Sequence, residues 1–273
     1  MARLTGQDLS RLLECLREIY VLQDPRDFPN HIISIIRKVI PAGMVDFCEV
    51  DYIRQHGNYT IDPPDIATPE NCLIFEKYVH EHPLFNIIHP IHSNPFRHYF
   101  NNKMHPYIQR TLQARRRLGF SEYQSVEGKA IRLSDIVNPS ELHQLTLYNE
   151  LLRKLGFETQ MMVVLENRWY KNICIGFKRE QKDFKDMEMQ LLNILGPHLI
   201  QAYHNTEAFG QGKELLVPSQ KDHEDLDYGT IVLSRDGKIL FCSKKAHHLL
   251  IKYTSFRGGS LLDILRRRVR YYQ

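Results

Sequence analysis

Six histidines, His80, His82, His89, His92, His98 and His105, crowd one short stretch of this chain. Imidazole is a common zinc ligand, and HxH or HxxH spacings can converge on one ion. Pro83, Pro90 and Pro106 interrupt the regular backbone such convergence needs. No metal site is therefore expected. The same region has no Asp or Glu from His82 to Ser121, while Arg97, Lys103, Arg110, Arg115, Arg116 and Arg117 stand among Tyr99, Phe100, Tyr107 and Phe120. Arginine interleaved with aromatic residues suits phosphates and stacked bases. Residues 97–118, with Arg115, Arg116 and Arg117 at their centre, are thus a candidate nucleic-acid contact. The competing expectation is a solvated face whose arginines meet acids elsewhere. Arg266, Arg267 and Arg268 in LLDILRRRVRYYQ offer a second basic group, on either an amphipathic tail or a connector.

Catalytic signatures are missing: there is no GxSxG elbow, no HExxH helix and no GxGxxG dinucleotide turn. Gly210-Gln211-Gly212-Lys213 is only superficially like a phosphate loop. Glu207 stands at the first glycine's place and Glu214 replaces the Ser or Thr that would hold magnesium. Asp135 and His143 read as a loop residue bonding local amides and a partly exposed helix residue. The expectation is a non-enzyme with no catalytic residue and no cofactor.

These residues need a scaffold. Leu9, Leu12, Leu13, Leu16, Ile19 and Tyr20 recur at helical steps and predict a first helix with that face inward. Phe28, Ile32, Ile35, Ile36 and Val39 predict a second, capped at Asp24 with Pro25 in its first turn and stopped at Pro41. Met44 to Ile53 and Tyr59 to Ile61 are strand-like, and Thr68-Pro69-Glu70 opens a helix to about His80. Asn138-Pro139-Ser140-Glu141 is a capping box. Its helix should carry Leu142, Leu145, Tyr148, Leu152 and Leu155 inward and end at Gly156. Thr159 to Leu165 and Trp169 to Phe177 predict a core hairpin. Phe47, Met161, Val163, Trp169, Ile173 and Ile175 lie on these strands as core or cavity-bordering residues. Asp183 should cap a long helix to about residue 209, kinked or split at Gly196-Pro197. Residues 211–227 read as a solvated linker, and a second hairpin turning at Asp236-Gly237 and a helix from Ser243 to Lys252 follow.

At 273 residues, 42% of them hydrophobic and 25% charged, the chain can bury a sizeable core as an ordinary globular protein. The net charge of +4 is too mild to signal nucleic-acid binding by itself. Five scattered cysteines without a CxxC pair fit a reducing compartment. No secretory leader or membrane-length apolar run is visible, so the expected location is cytoplasmic.

LSDIVNPSELHQLTLYNELLRKLGFETQ, followed by DFKDMEMQLLNILGPHLIQAYHN, resembles the GAF-like N-terminal sensory domain of certain LuxR-type bacterial transcriptional regulators. Ser134, Asp135, Tyr148, Asn149, Asp183, Phe184, Pro197, His198 and Leu199 occupy that family's recurrent places, and Tyr78 to Leu84 is similar to another of its segments. GTIVLSRDGKILFCSKKAHHLL is similar to the opening of a PAS-like unit. The resemblance implies an α+β fold with a GAF-like antiparallel sheet covered by helices (1–210), a linker (211–227), and a partial PAS-like or connector segment (228–273). It implies a sensor that binds a small-molecule effector or protein partner and relays through the 183–209 helix, and that helix is itself a natural surface for a homodimer, since a parallel pair would join two sensors along one seam. The family's DNA-binding helix-turn-helix has no counterpart before Gln273, so DNA binding does not carry over.

Overall fold

The computed structural model describes residues 5–51, 56–89, 105–121, 124–168, 170–222, 231–233, 239–242, 246, 248 and 249. The chain divides into two units, Met1–Thr206 and Glu207–Gln273.

Helix α1 (Gly6–Ile19) starts at a capping box. Thr5 Oγ1 accepts the Asp8 amide at 3.2 Å and the Asp8 carboxylate accepts the Thr5 amide at 2.9 Å. Only Leu12, Cys15 and Ile19 of α1 are buried; Leu9, Leu13 and Tyr20 face outward. The predicted inward stripe was too wide, because a single neighbouring helix covers only a narrow strip. That neighbour, α2 (Phe28–Val39), begins a turn later than its expected cap, with Asp27 at the N-cap and Pro29 in the first turn. Phe28, Ile32, Ile33, Ile35, Ile36 and Val39 are buried.

Five antiparallel strands form the sheet: β1 (Met44–Asp51), β2 (His56–Asp62), β3 (Ala130–Arg132), β4 (Thr159–Asn167) and β5 (Lys171–Arg179), in the order β2-β1-β5-β4-β3. The fold is α+β. Alternation along each strand divides the side chains between two cores. Phe47, Met161, Val163, Ile173, Ile175 and Phe177 pack on one face with α1, α2 and α7 (Asp186–Asp222). Cys48, Met162, Val164 and Cys174 pack on the other. That second face is covered by α3 (Pro69–Tyr78), α4 (Pro83–Ile88), α5 (His105–Arg117) and the segment from α6 (Pro139–Leu142) to Gly156.

The Asn138–Glu141 capping box forms as predicted. The helix after it does not run on: α6 is four residues long, and Tyr148–Leu152 is a π-helical turn. Leu142, Tyr148 and Leu152 still face the core, and Gly156 closes the segment at φ +76°.

α7 departs from expectation at both ends and in the middle. It begins at Asp186, and Asp183 instead accepts a hydrogen bond from Ser134 Oγ at 2.6 Å. It continues to Asp222, so residues 211–222 of the expected linker are helical. The helix runs unbroken through Gly196-Pro197, and Gly196 makes a close backbone contact. A Cβ there would stand 2.7 Å from the Gly128 carbonyl carbon, and Gly128 itself holds φ +71°. Gly196→Ala should therefore lower unit 1 stability by about 2 kcal/mol, overpacking outweighing the roughly 1 kcal/mol that alanine gains in a helix. Gly6→Ala, with nothing within 4 Å of its Cβ, is the neutral control. Equal urea midpoints for the two variants would contradict this packing.

In the second unit, β6 (Ile231–Leu233) and β7 (Ile239–Cys242) pair antiparallel. Of the expected helix 243–252 only residues 246, 248 and 249 are described, and they are helical; residues 97–104, Trp169 and Arg266 to Arg268 lie outside the described residues. No described helix is long and apolar enough to cross a membrane.

Candidate functional site

On the second face of the sheet, strand register gathers polar groups where apolar ones are usual. Asp46 lies directly opposite Gly176 on β5, and a Cβ at Gly176 would sit 2.7 Å from Asp46 Oδ1. The missing side chain lets the Asp46 carboxylate lie across β5 and pair with Lys178 Nζ. The two side chains are 12% and 11% exposed, so this ion pair is nearly removed from water. Across β4 and β5, Gln160 is the partner of Lys178.

His82 completes the cluster. Its Nδ1 accepts the Leu84 amide at 3.2 Å, which caps α4 and leaves the ring proton on Nε2. Nε2 then donates to Gln160 Oε1 at 3.0 Å. Gln160 Nε2 is buried with no hydrogen-bond partner. Burial, reinforced by the Lys178 charge, pushes the His82 pKa down to about 3, so the ring is neutral.

A cavity of about 50 Å³ opens beside this floor. Asp46, Lys178, Cys48 and Tyr59 form its sheet side; Asn71, Cys72 and Phe75 of α3 and Leu151, Leu152 and Leu155 form its roof. Phe75 meets Tyr59 edge-on at 5.7 Å and Phe85 at 5.6 Å. Burial raises the Cys48 thiol well above its ordinary range and raises Cys72 as well, so both are protonated thiols that line a wall. The arrangement is a small apolar chamber with a charged floor, and its lining suits an apolar group carrying one polar end. α3 has no buried residue and Leu73 is 66% exposed, so the roof is weakly attached.

Of the described residues singled out from the sequence, His82 joins this cluster and the others fall elsewhere. Phe47, Met161, Val163, Ile173 and Ile175 fill the opposite core. His82 and His89 are buried neutral histidines; burial, with Arg115 adding to it, also lowers His89 to about 3. Asp135 pairs with Arg132 at 3.1 Å, while His143 stacks on Tyr148 and approaches Glu158 at 3.0 Å.

Arg115 is a correction. It is fully buried, and its guanidinium donates to the carbonyls of Ile87, Ser121 and Gln124, with Ser121 O at 2.9 Å from Nη2. A guanidinium spent on backbone oxygens inside the protein cannot reach a phosphate outside it. Arg116 and Arg117 are exposed, and Arg117 Nη2 donates to Ile136 O at 3.1 Å.

Asp46, Gly176 and Lys178 went unnoticed in the sequence. The available signal was parity: on MVDFCEVD and KNICIGFKR, the residues sharing a face with Cys48 and Cys174 include Asp46 and Lys178.

No family model matches the chain, and no curated protein matches it. Solved structures that overlap it include the ligand-binding domain of VqsR from Pseudomonas aeruginosa, 12% identical, covering 75% of this chain and 99% of that one at a TM-score of 0.42. An N-acylhomoserine lactone-dependent LuxR family transcription factor, CepR2 from Burkholderia cenocepacia, is 9% identical over 76% of this chain and 99% of that chain, TM-score 0.40. SdiA from Escherichia coli is 10% identical over 96% and 84%, TM-score 0.40.

Proposed function

We propose that unit 1 is the sensory module of a cytoplasmic regulator of the LuxR-associated kind, GAF-like in layout, with a binding role and no catalytic one. The observation that carries the reading is the ion pair Asp46–Lys178 held at the floor of an otherwise apolar chamber. A purely structural core gains little from such a pair, since apolar replacements of similar volume are often as stable. A ligand with a hydrogen-bonding end gains both a donor and an acceptor.

The chamber is smaller than a metabolite, so occupation requires α3 to lift, and its shallow packing makes that movement inexpensive. A ligand that prefers the lifted arrangement shifts the population toward it by its differential affinity alone. Relay through α7 follows the domain order, the PAS-like second unit being the receiver. Leu191, Leu192, Leu195 and Leu199 of α7 are already buried in its own core, so a homodimer along α7 would use its other face.

A thermal-shift screen of small apolar molecules bearing one amide, ester or carboxyl end tests the reading, because a ligand for the native state raises its melting temperature. A hit should protect the α3 amides (69–78) from hydrogen exchange or expose them, and should weaken in Asn71→Ala. Hits that leave α3 exchange untouched would place the ligand elsewhere and end this assignment.

A further inference from the structure

A second, larger cleft lies outside the cluster just described. It occupies about 640 Å³ between α5 and the 134–145 segment, within the range of small-molecule sites. Three arginines of α5, Arg110, Arg116 and Arg117, line one wall; Ser134, Asn138 and Glu141 line the other, with Glu81 at the side. We propose that this cleft binds a compact organic anion, one carrying carboxylate or phosphate groups on a small body.

The charge arrangement carries the argument. Both carboxylates of the cleft are engaged with backbone amides: Glu81 Oε2 accepts from Leu147 N at 3.1 Å and Glu141 Oε2 from Asn138 N at 3.2 Å. The arginines outnumber them, and guanidinium forks match carboxylate and phosphate oxygens in pairs. The end of α5 is also held in place. Buried Arg115 ties it to the carbonyls of Ile87, Ser121 and Gln124, which fixes the backbone that carries Arg116 and Arg117. Arg117 is further oriented by its bond to Ile136 O. Preorganised donors of this sort lose little entropy on binding. Apolar Pro83, Ile136, Val137 and Leu145 give the body of the anion a surface to rest on. A cleft enclosed by two walls suits a compact anion better than an extended phosphate backbone.

Occupancy would reach α7 directly. Ser134 Oγ donates to Asp183, and Arg132, on the strand leading to Ser134, donates to Phe184 O at 2.8 Å and to Asp186 at 2.9 Å. The wall of the cleft and the start of α7 therefore share one hydrogen-bonded segment.

Calorimetric titration of the full chain with inorganic pyrophosphate and with citrate, at matched chloride, separates the phosphate and carboxylate sources. Saturable binding of at least one is expected, weakened about tenfold or more in Arg110→Ala with Arg117→Ala and less in Arg110→Lys. Lys154→Ala, an exposed residue paired with Glu150, should leave it unchanged. Hydrogen exchange on the unaltered chain, with protection at 110–117 and 134–145 on adding the anion, gives a readout independent of the variants. No binding of either anion, or binding indifferent to the double variant, overturns the proposal. So does salt-dependent retention of DNA or RNA lost in the same variants without small-anion binding. Because none of these measurements involves the chamber under α3, failure here leaves the sensory reading standing, and the reverse.

Discussion

Asp46→Ala should destabilise unit 1 by about 3 kcal/mol, because it strands the Lys178 ammonium in a site where only 11% of the side chain meets water. Lys178→Met should cost a similar amount by stranding the carboxylate. The double variant should recover most of the loss, since removing both charges also removes the cost of desolvating them. Urea denaturation of the four proteins measures this as a coupling energy. Single variants that each cost under about 1 kcal/mol would mean that water reaches the pair, and the chamber floor would then be ordinary solvated surface. Gly176→Ala bears on the same point, since its Cβ would crowd the Asp46 carboxylate and push it off β5. The functional consequence is distinct from the stability one: a double variant that folds well but no longer responds to ligand would separate recognition from scaffolding.

Acid should unfold this protein early, and two histidines set the window. His82 and His89 are held near a pKa of about 3 by burial, with Lys178 and Arg115 respectively adding repulsion. In the unfolded chain both return to about 6.5. Below that value the unfolded state binds more protons than the folded one, so stability is complete above about pH 7 and falls as the pH drops toward 3. Near pH 5 each histidine removes about 2 kcal/mol, and the two together about 4. Glu158 and Glu188, whose carboxyls are held low by Tyr148 with His143 and by Arg179 respectively, push the same way, but only from about pH 4.5 down. The interval from pH 7 to 5 therefore belongs to the histidines. Their joint slope is about 2 kcal/mol per pH unit averaged over that interval, steepening to about 2.7 below about pH 5.5, and His82→Asn, which keeps an oxygen able to cap α4, should halve it. A flat stability profile across that interval would mean that His82 and His89 are not buried as described.

Much of the scaffold was legible because local chemistry and tertiary packing agree there. Thr68 and Asn138 cap helices at the residues where the sequence places caps, and the β4–β5 hairpin forms with its turn between Asn167 and Lys171, two residues later than expected. Disagreement arises where distant contacts decide. Nothing near Gly196 announces that Gly128 will press against it from far along the chain, so the glycine beside a proline read as a break. Leu9 and Leu13 carry the periodicity of a buried face, but α2 has room only for the Leu12, Cys15 and Ile19 strip. Arg115 looked like its two neighbours because three successive arginines carry no mark of which one points inward. The chamber was the least visible feature: it joins β1, β2, β5, α3 and the Leu151–Leu155 stretch, and depends on a glycine opposite an aspartate in register. Only the pairing of β1 with β5 reveals that.

The bare backbone contact between Gly128 and Gly196 limits how the final helix of unit 1 can answer a stimulus. Sliding by one turn, about 5.4 Å, would bring Leu192 or Ile200 against the Gly128 carbonyl, where there is no space for a side chain. Translation is barred and rotation about the helix axis meets the same obstacle, which leaves tilting. The glycine pair is thus a pivot, and any tilt of α7 within unit 1 would turn about that one contact.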